Sequence, residues 1–177
     1  LDPQGNATEG LGLLDAYDRE PPTLFDAITD ARQRTAIADL VVSHPEMDVV
    51  PSSIDLLQAE HELTVANLMA RLDRRSDVDV DPAALEPLAA NASPEGVPGT
   101  HALDLFDRAL TVVADDYDYV IVDSPPFYGN LTDAGLYAAR NVLIPALTEA
   151  TSQRAIELLF DQIAALERRT DISIREV

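Results

Sequence analysis

The sequence predicts an α/β fold in which a three-layer parallel sheet is flanked by helices. Short apolar runs bounded by polar or turn residues occur at residues 47–51, 119–122 and 141–145, a pattern typical of buried parallel strands. Stretches with helical periodicity separate these runs. Because strands that alternate with helices in this way form crossover units, the pattern favours a layered α/β architecture over an all-helical one.

The helical segments follow from their ends and their apolar faces. Thr23, after two prolines, is a typical first residue of a helix that turns Leu24, Phe25 and Ile28 inward, and residues 54–72 are predicted to form another helix. Two further helices each place four apolar side chains on one face. These side chains are Leu103, Phe106, Leu110 and Val113 in the first helix, and Ile156, Leu159, Ile163 and Leu166 in the second.

The domain organisation is predicted to be one partial domain over residues 1–177. Residues 76–100 carry several prolines and glycines with little periodicity, so we expect a surface loop there. Residues 1–6 are predicted to be a loop that follows a strand, and residues 172–177 alternate as a strand that is just beginning. Both ends are therefore expected to be cut.

The composition is strongly acidic: the sequence has 32 Asp and Glu residues and only 12 basic residues, all of them Arg, for a net charge of −20. The acids are spread along apolar segments, which predicts an acidic shell on a folded core, adaptation to molar salt and a haloarchaeal source. Such a surface repels nucleic acid at low salt, so DNA contact would need a local cluster such as Arg71, Arg74 and Arg75. A solvated helix end is the other interpretation of that cluster.

Several functional classes are excluded or disfavoured by residues that the sequence lacks. There is no cysteine, which excludes disulfides, thiolate zinc sites and cysteine nucleophiles within this chain. No apolar run approaches the ~20 residues of a membrane helix, and no signal-peptide pattern opens the chain. We therefore expect a cytoplasmic protein that does not act at a membrane.

Two loops place a carboxylate after a predicted strand, where ligands bind in open parallel sheets. Asp2 lies in the loop at residues 1–8, and Asp123 ends the apolar run at residues 119–122. A rigid strand that ends in Asp can hold Mg²⁺, because this cation prefers oxygen ligands. The alternatives are an Asp-Pro turn at Asp2 and a turn-forming Asp before Ser-Pro-Pro at Asp123.

Taken together, these two loops resemble a known family. Residues 2–8 followed by Gly-Leu-Gly at 10–12 closely resemble the second nucleotide motif of the ParA and Soj partition ATPases, which belong to the deviant Walker class of P-loop NTPases. Asp123 and the Ser-Pro-Pro after it resemble the Walker B motif of that family. Residues 49–53, and residues 142–145 with Glu149 beyond them, add to the likeness.

The resemblance implies a fragment of a deviant Walker P-loop NTPase fold that uses ATP and Mg²⁺. By this resemblance Asp2 would orient the water that attacks the γ-phosphate, and Asp123 would hold the magnesium shell through water. The first switch loop would comprise Gln4, Gly5 and Asn6, and the second Pro125 and Pro126. The implied partners are a second copy of the chain, a ParB-like protein, and nonspecific DNA for the ATP-bound dimer.

One departure separates the sequence from that family. The family requires a glycine-rich loop with two lysines upstream of residue 2, and this chain contains no lysine. We therefore expect the chain to lack its phosphate-binding segment and to be inactive alone. A non-catalytic remnant or adaptor remains an alternative. A receiver-like domain with Asp123 as phosphoacceptor is a further alternative, disfavoured by the missing lysine and by the string at residues 2–6.

Overall fold

A computed structural model describes residues 1–73, 103–147 and 150–176 of this chain. The surface loop predicted at residues 76–100 lies outside the described residues. So do Glu149, which the family resemblance used, and Arg74 and Arg75 of the possible arginine cluster.

The first part of the chain forms short helices. They are α1 (Asn6–Gly10), α2 (Leu14–Tyr17), α3 (Leu24–Thr29), a 3-10 turn at Arg34–Ala36, and α4 (Ile37–Leu40). The predicted start of α3 is confirmed, because the Thr23 N–H donates to the Asp26 side chain at 2.8 Å and closes the first turn. Leu24 and Ile28 are buried as predicted, whereas Phe25 is half-buried.

Strand pairing among the described residues is limited to two short ladders. β1 (Val42–Ser43) pairs antiparallel with β2 (Asp48–Val49), and β3 (Asn141–Val142) pairs parallel with β4 (Arg175–Glu176). The run at residues 47–51 thus yields β2, but its pairing is antiparallel instead of parallel. The reason is the tight connection between β1 and β2, since parallel strands need a crossover of a dozen residues or more.

The run at residues 119–122 differs from its prediction as a buried strand. It forms no ladder with any described segment, and the side chains of Tyr119 and Ile121 are each 88% exposed. An apolar strand is buried only where neighbouring strands and helices cover it. No described strand pairs with this run, so Tyr119 and Ile121 remain in solvent, whereas Val122 is half-buried and packs against the core.

The longer helices lie in the second part of the chain, and all of them except the helix at Asn130–Ala139 were predicted. They are α5 (Leu56–Asp73), α6 (Asp104–Leu110), a 3-10 turn at Ala114–Asp116, α7 (Asn130–Ala139) and α8 (Ala150–Thr170). The inward face of the α6 segment is confirmed, because Leu103, Phe106 and Val113 are buried and Leu110 packs against them. In α8, Ile163 and Leu166 are buried and Leu159 lies at the edge of the core.

The core lies around α7, which packs against α5, α6 and α8, while α3 packs against α5 and α6. Its largest fully buried side chains are Ile28, Ile37, Leu40, Leu56, Leu63, Leu131 and Leu166. Within the part of the chain that the structure describes, no helix combines the length and the apolar character required to cross a membrane.

Candidate functional site

The first candidate loop folds back on the carboxylate of Asp2. The Gln4 backbone N–H donates to Asp2 Oδ1 at 3.0 Å, and Asn6 Nδ2 donates to Asp2 Oδ2 at 3.3 Å. The Gly5 N–H donates to the Asp2 carbonyl at 3.0 Å, which closes the turn. Gly5 has a φ of 66°, a left-handed conformation that favours glycine. Each Asp2 oxygen therefore has a partner in its own loop, and the residue is only 5% exposed.

Two hydroxyl groups tie this loop to the segment that follows β2. Ser52 Oγ donates to the Asp2 carbonyl oxygen, and the Ser52 N–H donates to Thr8 Oγ1 at 3.1 Å. Both Ser52 and Thr8 are buried. Because a buried polar group without a partner is costly, these contacts favour one position of the Asp2 loop against the neighbouring segment.

The second candidate loop runs from Asp123 to the start of α7. Asp123 is exposed, Pro125 is buried and Pro126 is exposed. The Phe127 carbonyl accepts a hydrogen bond from Thr132 Oγ1 at 2.8 Å. The loop is therefore anchored at its carboxyl end, while the carboxylate at its amino end remains open to solvent.

Glu60 of α5 anchors the end of the second loop and was missed by the sequence analysis. Its carboxylate accepts hydrogen bonds from the backbone N–H groups of Asn130 and Leu131, both at 2.8 Å, and from Asn130 Nδ2 at 2.9 Å. These N–H groups belong to the first turn of α7, which has no partners for them within the helix. No local pattern could have revealed this cap, because Glu60 lies on a different helix.

The structure brings the two candidate aspartates to one cavity. This cavity has a volume of about 480 Å³ and is lined by both Asp2 and Asp123, with Gly5, Thr8 and Ser52 as further members of its wall. The remaining wall is largely apolar. Gln4, Asn6, Pro125 and Pro126, which the family resemblance assigns to the switch loops, are not among the lining residues.

The two carboxylates set the electrostatic character of this cavity. Asp2 and Asp123 both contribute to its wall, and no cationic side chain is among the described residues that line it. Such a site attracts a metal cation and repels a free phosphate.

The side chains present fit Mg²⁺ better than they fit a triphosphate. Among the residues that the structure describes, no group of three or more His, Cys, Asp or Glu side chains could hold a metal on its own. Mg²⁺ does not need such a cage, since it commonly binds one or two carboxylates and keeps water and phosphate oxygens as its other ligands. No Lys, Arg or His is among the described residues that line the cavity, so these residues offer a triphosphate no cationic side chain.

The chain belongs to the AAA_31 family, described as an AAA domain, which matches residues 1–175. Within that class it is similar to ParA- and Soj-type partition ATPases. It is 31% identical over 179 residues to the sporulation initiation inhibitor protein Soj of Bacillus subtilis. The alignment covers 100% of this chain and 56% of Soj. It is 35% identical over 153 residues to the chromosome partitioning protein ParA of Myxococcus xanthus. This alignment covers 84% of this chain and 40% of that protein.

Solved structures share the fold. McdA of Cyanothece in complex with ATP is 22% identical, with a TM-score of 0.66 over 99% of this chain and 54% of that one. Cobyrinic acid a,c-diamide synthase of Mycobacterium smegmatis, solved with ADP and magnesium, is 24% identical, with a TM-score of 0.69 over 99% of this chain and 56% of that one. The chain therefore spans about half the length of these proteins.

These comparisons confirm the family resemblance and the fold class derived from the sequence, an α/β P-loop NTPase fold of the ParA and Soj type. The roles assigned to Asp2, Asp123 and the two switch loops remain predictions.

Proposed function

We propose that this chain forms part of an ATP-hydrolysing partition switch, a homodimer that depends on Mg²⁺ and ATP and acts in chromosome or plasmid segregation. One observation carries the proposal: Asp2 and Asp123, which lie far apart in the sequence, line the same cavity. Phosphoryl transfer depends mainly on positioning and charge neutralisation, and two carboxylates at one site match these two tasks.

Asp2 is the residue that orients the attacking water. Each of its carboxylate oxygens accepts one hydrogen bond from its own loop, at 3.0 Å to Oδ1 and 3.3 Å to Oδ2. A carboxylate oxygen can accept more than one hydrogen bond, so capacity remains for a water molecule. The loop therefore holds the carboxylate in one orientation and still leaves it able to accept a hydrogen bond from a water molecule.

Asp123 is the residue that holds the magnesium shell, and its exposed carboxylate suits binding through water. When bound, Mg²⁺ neutralises the charge on the phosphate oxygens. The two loops are the switches: Gln4, Gly5 and Asn6 surround Asp2, while Pro125 and Pro126 stiffen the segment after Asp123. The buried Pro125 gives this second segment a fixed point next to the metal site.

The proposed partners follow from the relatives. Soj, ParA and the cell division protein PomZ are each about 30% identical or more to this chain, and their names place them in chromosome partitioning, sporulation and cell division. We propose that this chain also has a ParB-like partner protein and that its ATP-bound dimer binds DNA without sequence preference. With a net charge of −20, such DNA binding would require that screening by salt or a local Arg cluster offset the repulsion.

The test is ATP hydrolysis by the whole natural protein that contains this sequence, assayed in molar salt with Mg²⁺. Asp2→Ala should lower kcat about a hundredfold or more while ATP still binds. Asp123→Ala should raise the Mg²⁺ concentration needed for half-maximal rate. Asp39→Ala, which removes an exposed carboxylate on α4 outside the cavity wall, is the matched control and should hydrolyse ATP like the wild type.

A non-catalytic adaptor is the second candidate, and it is favoured by the lack of cationic side chains among the described residues that line the cavity. In that case the whole natural protein would neither bind nor hydrolyse ATP, and Asp2→Ala would leave its partner binding unchanged. Saturable ATP binding with Mg²⁺-dependent hydrolysis would exclude the adaptor.

A further inference from the structure

Tyr17 of α2 contacts the Asp2 loop at two points. Its hydroxyl group donates a hydrogen bond to the Pro3 carbonyl oxygen at 2.8 Å. Its ring lies directly against Gly5, because a Cβ atom built on Gly5 would lie only 2.4 Å from Cε2 and 2.5 Å from Cδ2 of the ring. Pro3 and Gly5 are both buried, so Tyr17 packs closely against the turn instead of resting on its surface.

The contacted residues are those that shape the turn around Asp2. Gly5 closes the turn through its N–H bond to the Asp2 carbonyl at 3.0 Å, and it does so with a φ of 66°. Pro3 follows Asp2 directly. A displacement of either residue would move the Gln4 N–H, which donates to Asp2 Oδ1. The orientation of the Asp2 carboxylate therefore depends on where the Tyr17 side chain lies.

We propose that Tyr17 is the positioning residue for Asp2: its ring holds Gly5 and its hydroxyl group holds Pro3, so that the turn presents the carboxylate in one orientation. This inference rests on the proposed function, in which Asp2 orients the attacking water. It adds a residue outside the motif that carries the family resemblance. It also links α2 to the first switch loop.

The hydroxyl group keeps its role as donor under ordinary conditions. Burial raises the pKa of Tyr17, and the negative charges of Asp18, Asp2 and Asp55 raise it further. The phenol therefore remains protonated well above neutral pH and continues to donate to the Pro3 carbonyl oxygen.

The first experiment measures amide hydrogen exchange in the whole natural protein that contains this sequence and needs no nucleotide. Tyr17→Phe keeps the ring and removes the hydroxyl group, so exchange at the Gly5 and Gln4 amides should rise by about two- to tenfold, the range expected for one hydrogen bond. Tyr17→Ala removes both contacts and should raise exchange further. Tyr128→Phe is the matched control, because its hydroxyl group also donates to a backbone carbonyl, that of Ala155 at 3.1 Å, outside the Asp2 loop.

The exchange pattern decides whether the effect is local. Faster exchange at Gly5 and Gln4, with unchanged exchange in the buried turns of α7, supports the positioning role. If Tyr17→Ala leaves the Gly5 and Gln4 amides unchanged, or accelerates exchange equally throughout the chain, the proposal is overturned. Tyr17→Phe keeps the test informative if Tyr17→Ala does not fold.

The second experiment measures hydrolysis by the whole natural protein. Tyr17→Ala should lower kcat about tenfold to a hundredfold with little change in KM for ATP, because a misplaced catalytic group slows the reaction more than binding. Tyr17→Phe should recover part of that loss. If Asp2→Ala abolishes hydrolysis while Tyr17→Ala leaves kcat unchanged, the positioning role is overturned. If the wild type does not hydrolyse ATP, the proposed function fails, and the exchange experiment alone decides whether Tyr17 positions Asp2.

Discussion

The Glu60 carboxylate of α5 accepts a hydrogen bond from the Leu131 backbone N–H of α7 at 2.8 Å, which joins two helices at the end of the loop that begins with Asp123. Glu60→Ala would leave the N–H groups of Asn130 and Leu131 without this acceptor. We expect a loss of about 1–3 kcal/mol in the free energy of unfolding, the cost of unsatisfied buried donors. Urea unfolding in molar salt measures it.

Two further variants distinguish the effect of losing the capping hydrogen bonds from the effect of losing a negative charge. Glu62→Ala removes a carboxylate from the same helix, where it accepts an exposed hydrogen bond from Gln58, and should change stability by less than about 0.5 kcal/mol. Glu60→Gln keeps one acceptor oxygen, so its free energy of unfolding should lie between those of the other two variants. Equal unfolding midpoints for Glu60→Ala and Glu62→Ala would contradict the capping role.

A second interhelical contact is the ion pair between Asp133 of α7 and Arg169 of α8, with 2.6 Å between Oδ2 and the guanidinium group. Asp133 is buried and also accepts from Gln162 Nε2 at 2.7 Å. Arg169→Ala leaves this carboxylate with one protein partner, and we expect a loss of about 1–2 kcal/mol in the free energy of unfolding. Because the Arg169 side chain is 43% exposed, molar salt should reduce this loss.

Arg168→Ala is the control for this ion pair, since Arg168 lies next to Arg169 on the same helix and is exposed. Its removal should change the free energy of unfolding by no more than about 0.5 kcal/mol. The prediction is wrong if both arginine variants unfold at the same denaturant concentration.

Gly10 and Gly12 allow the energetic cost of a left-handed backbone conformation to be measured without a change in side-chain packing. A Cβ atom on either glycine would meet no atom within 4 Å, but only Gly12 has a positive φ, of 76°. Gly12→Ala should therefore destabilise the chain by about 1 kcal/mol, because a left-handed conformation is unfavourable for alanine. Gly10→Ala should be neutral or stabilise by up to about 1 kcal/mol. The measurement is the midpoint temperature of thermal unfolding for both variants. A lower midpoint for Gly10→Ala than for Gly12→Ala would refute the prediction.

Tyr117 provides a prediction for alkaline pH. Its hydroxyl group donates to Asp48 Oδ2 at 3.0 Å, and this hydrogen bond is the main reason that its pKa is raised. The folded state therefore holds the phenolic proton more tightly than the unfolded state does. The resulting stabilisation is present below the ordinary tyrosine pKa of about 10 and is lost as the pH rises through the raised value.

Asp48→Asn removes the charged acceptor and should lower the pKa of Tyr117 toward its ordinary value. The measurement is the phenolate absorbance during an alkaline titration, with Tyr117→Phe used to identify the contribution of this residue. An unchanged Tyr117 titration in Asp48→Asn would show that the hydrogen bond is not the cause of the shift.

The sequence alone determined the features that depend on neighbouring residues. Thr23 was identifiable as a helix start because it follows two prolines and precedes an apolar helical pattern, all within a few residues. The inward face of α8 was identifiable because Ile163 and Leu166 repeat with the helical period. The family was identifiable from two short strings around Asp2 and Asp123, whose order and composition need no tertiary information.

Only the tertiary structure decided which distant groups meet. Glu60 lies on α5 and caps α7, and Tyr17 reaches back to Pro3; neither partner follows from local spacing. The apolar run that contains Tyr119 and Ile121 shows the same limit, since its composition predicted burial but no described strand pairs with it and these two side chains are exposed. Burial and remote hydrogen bonds depend on which segments pack together, whereas capping and periodicity depend on residues within one turn of each other.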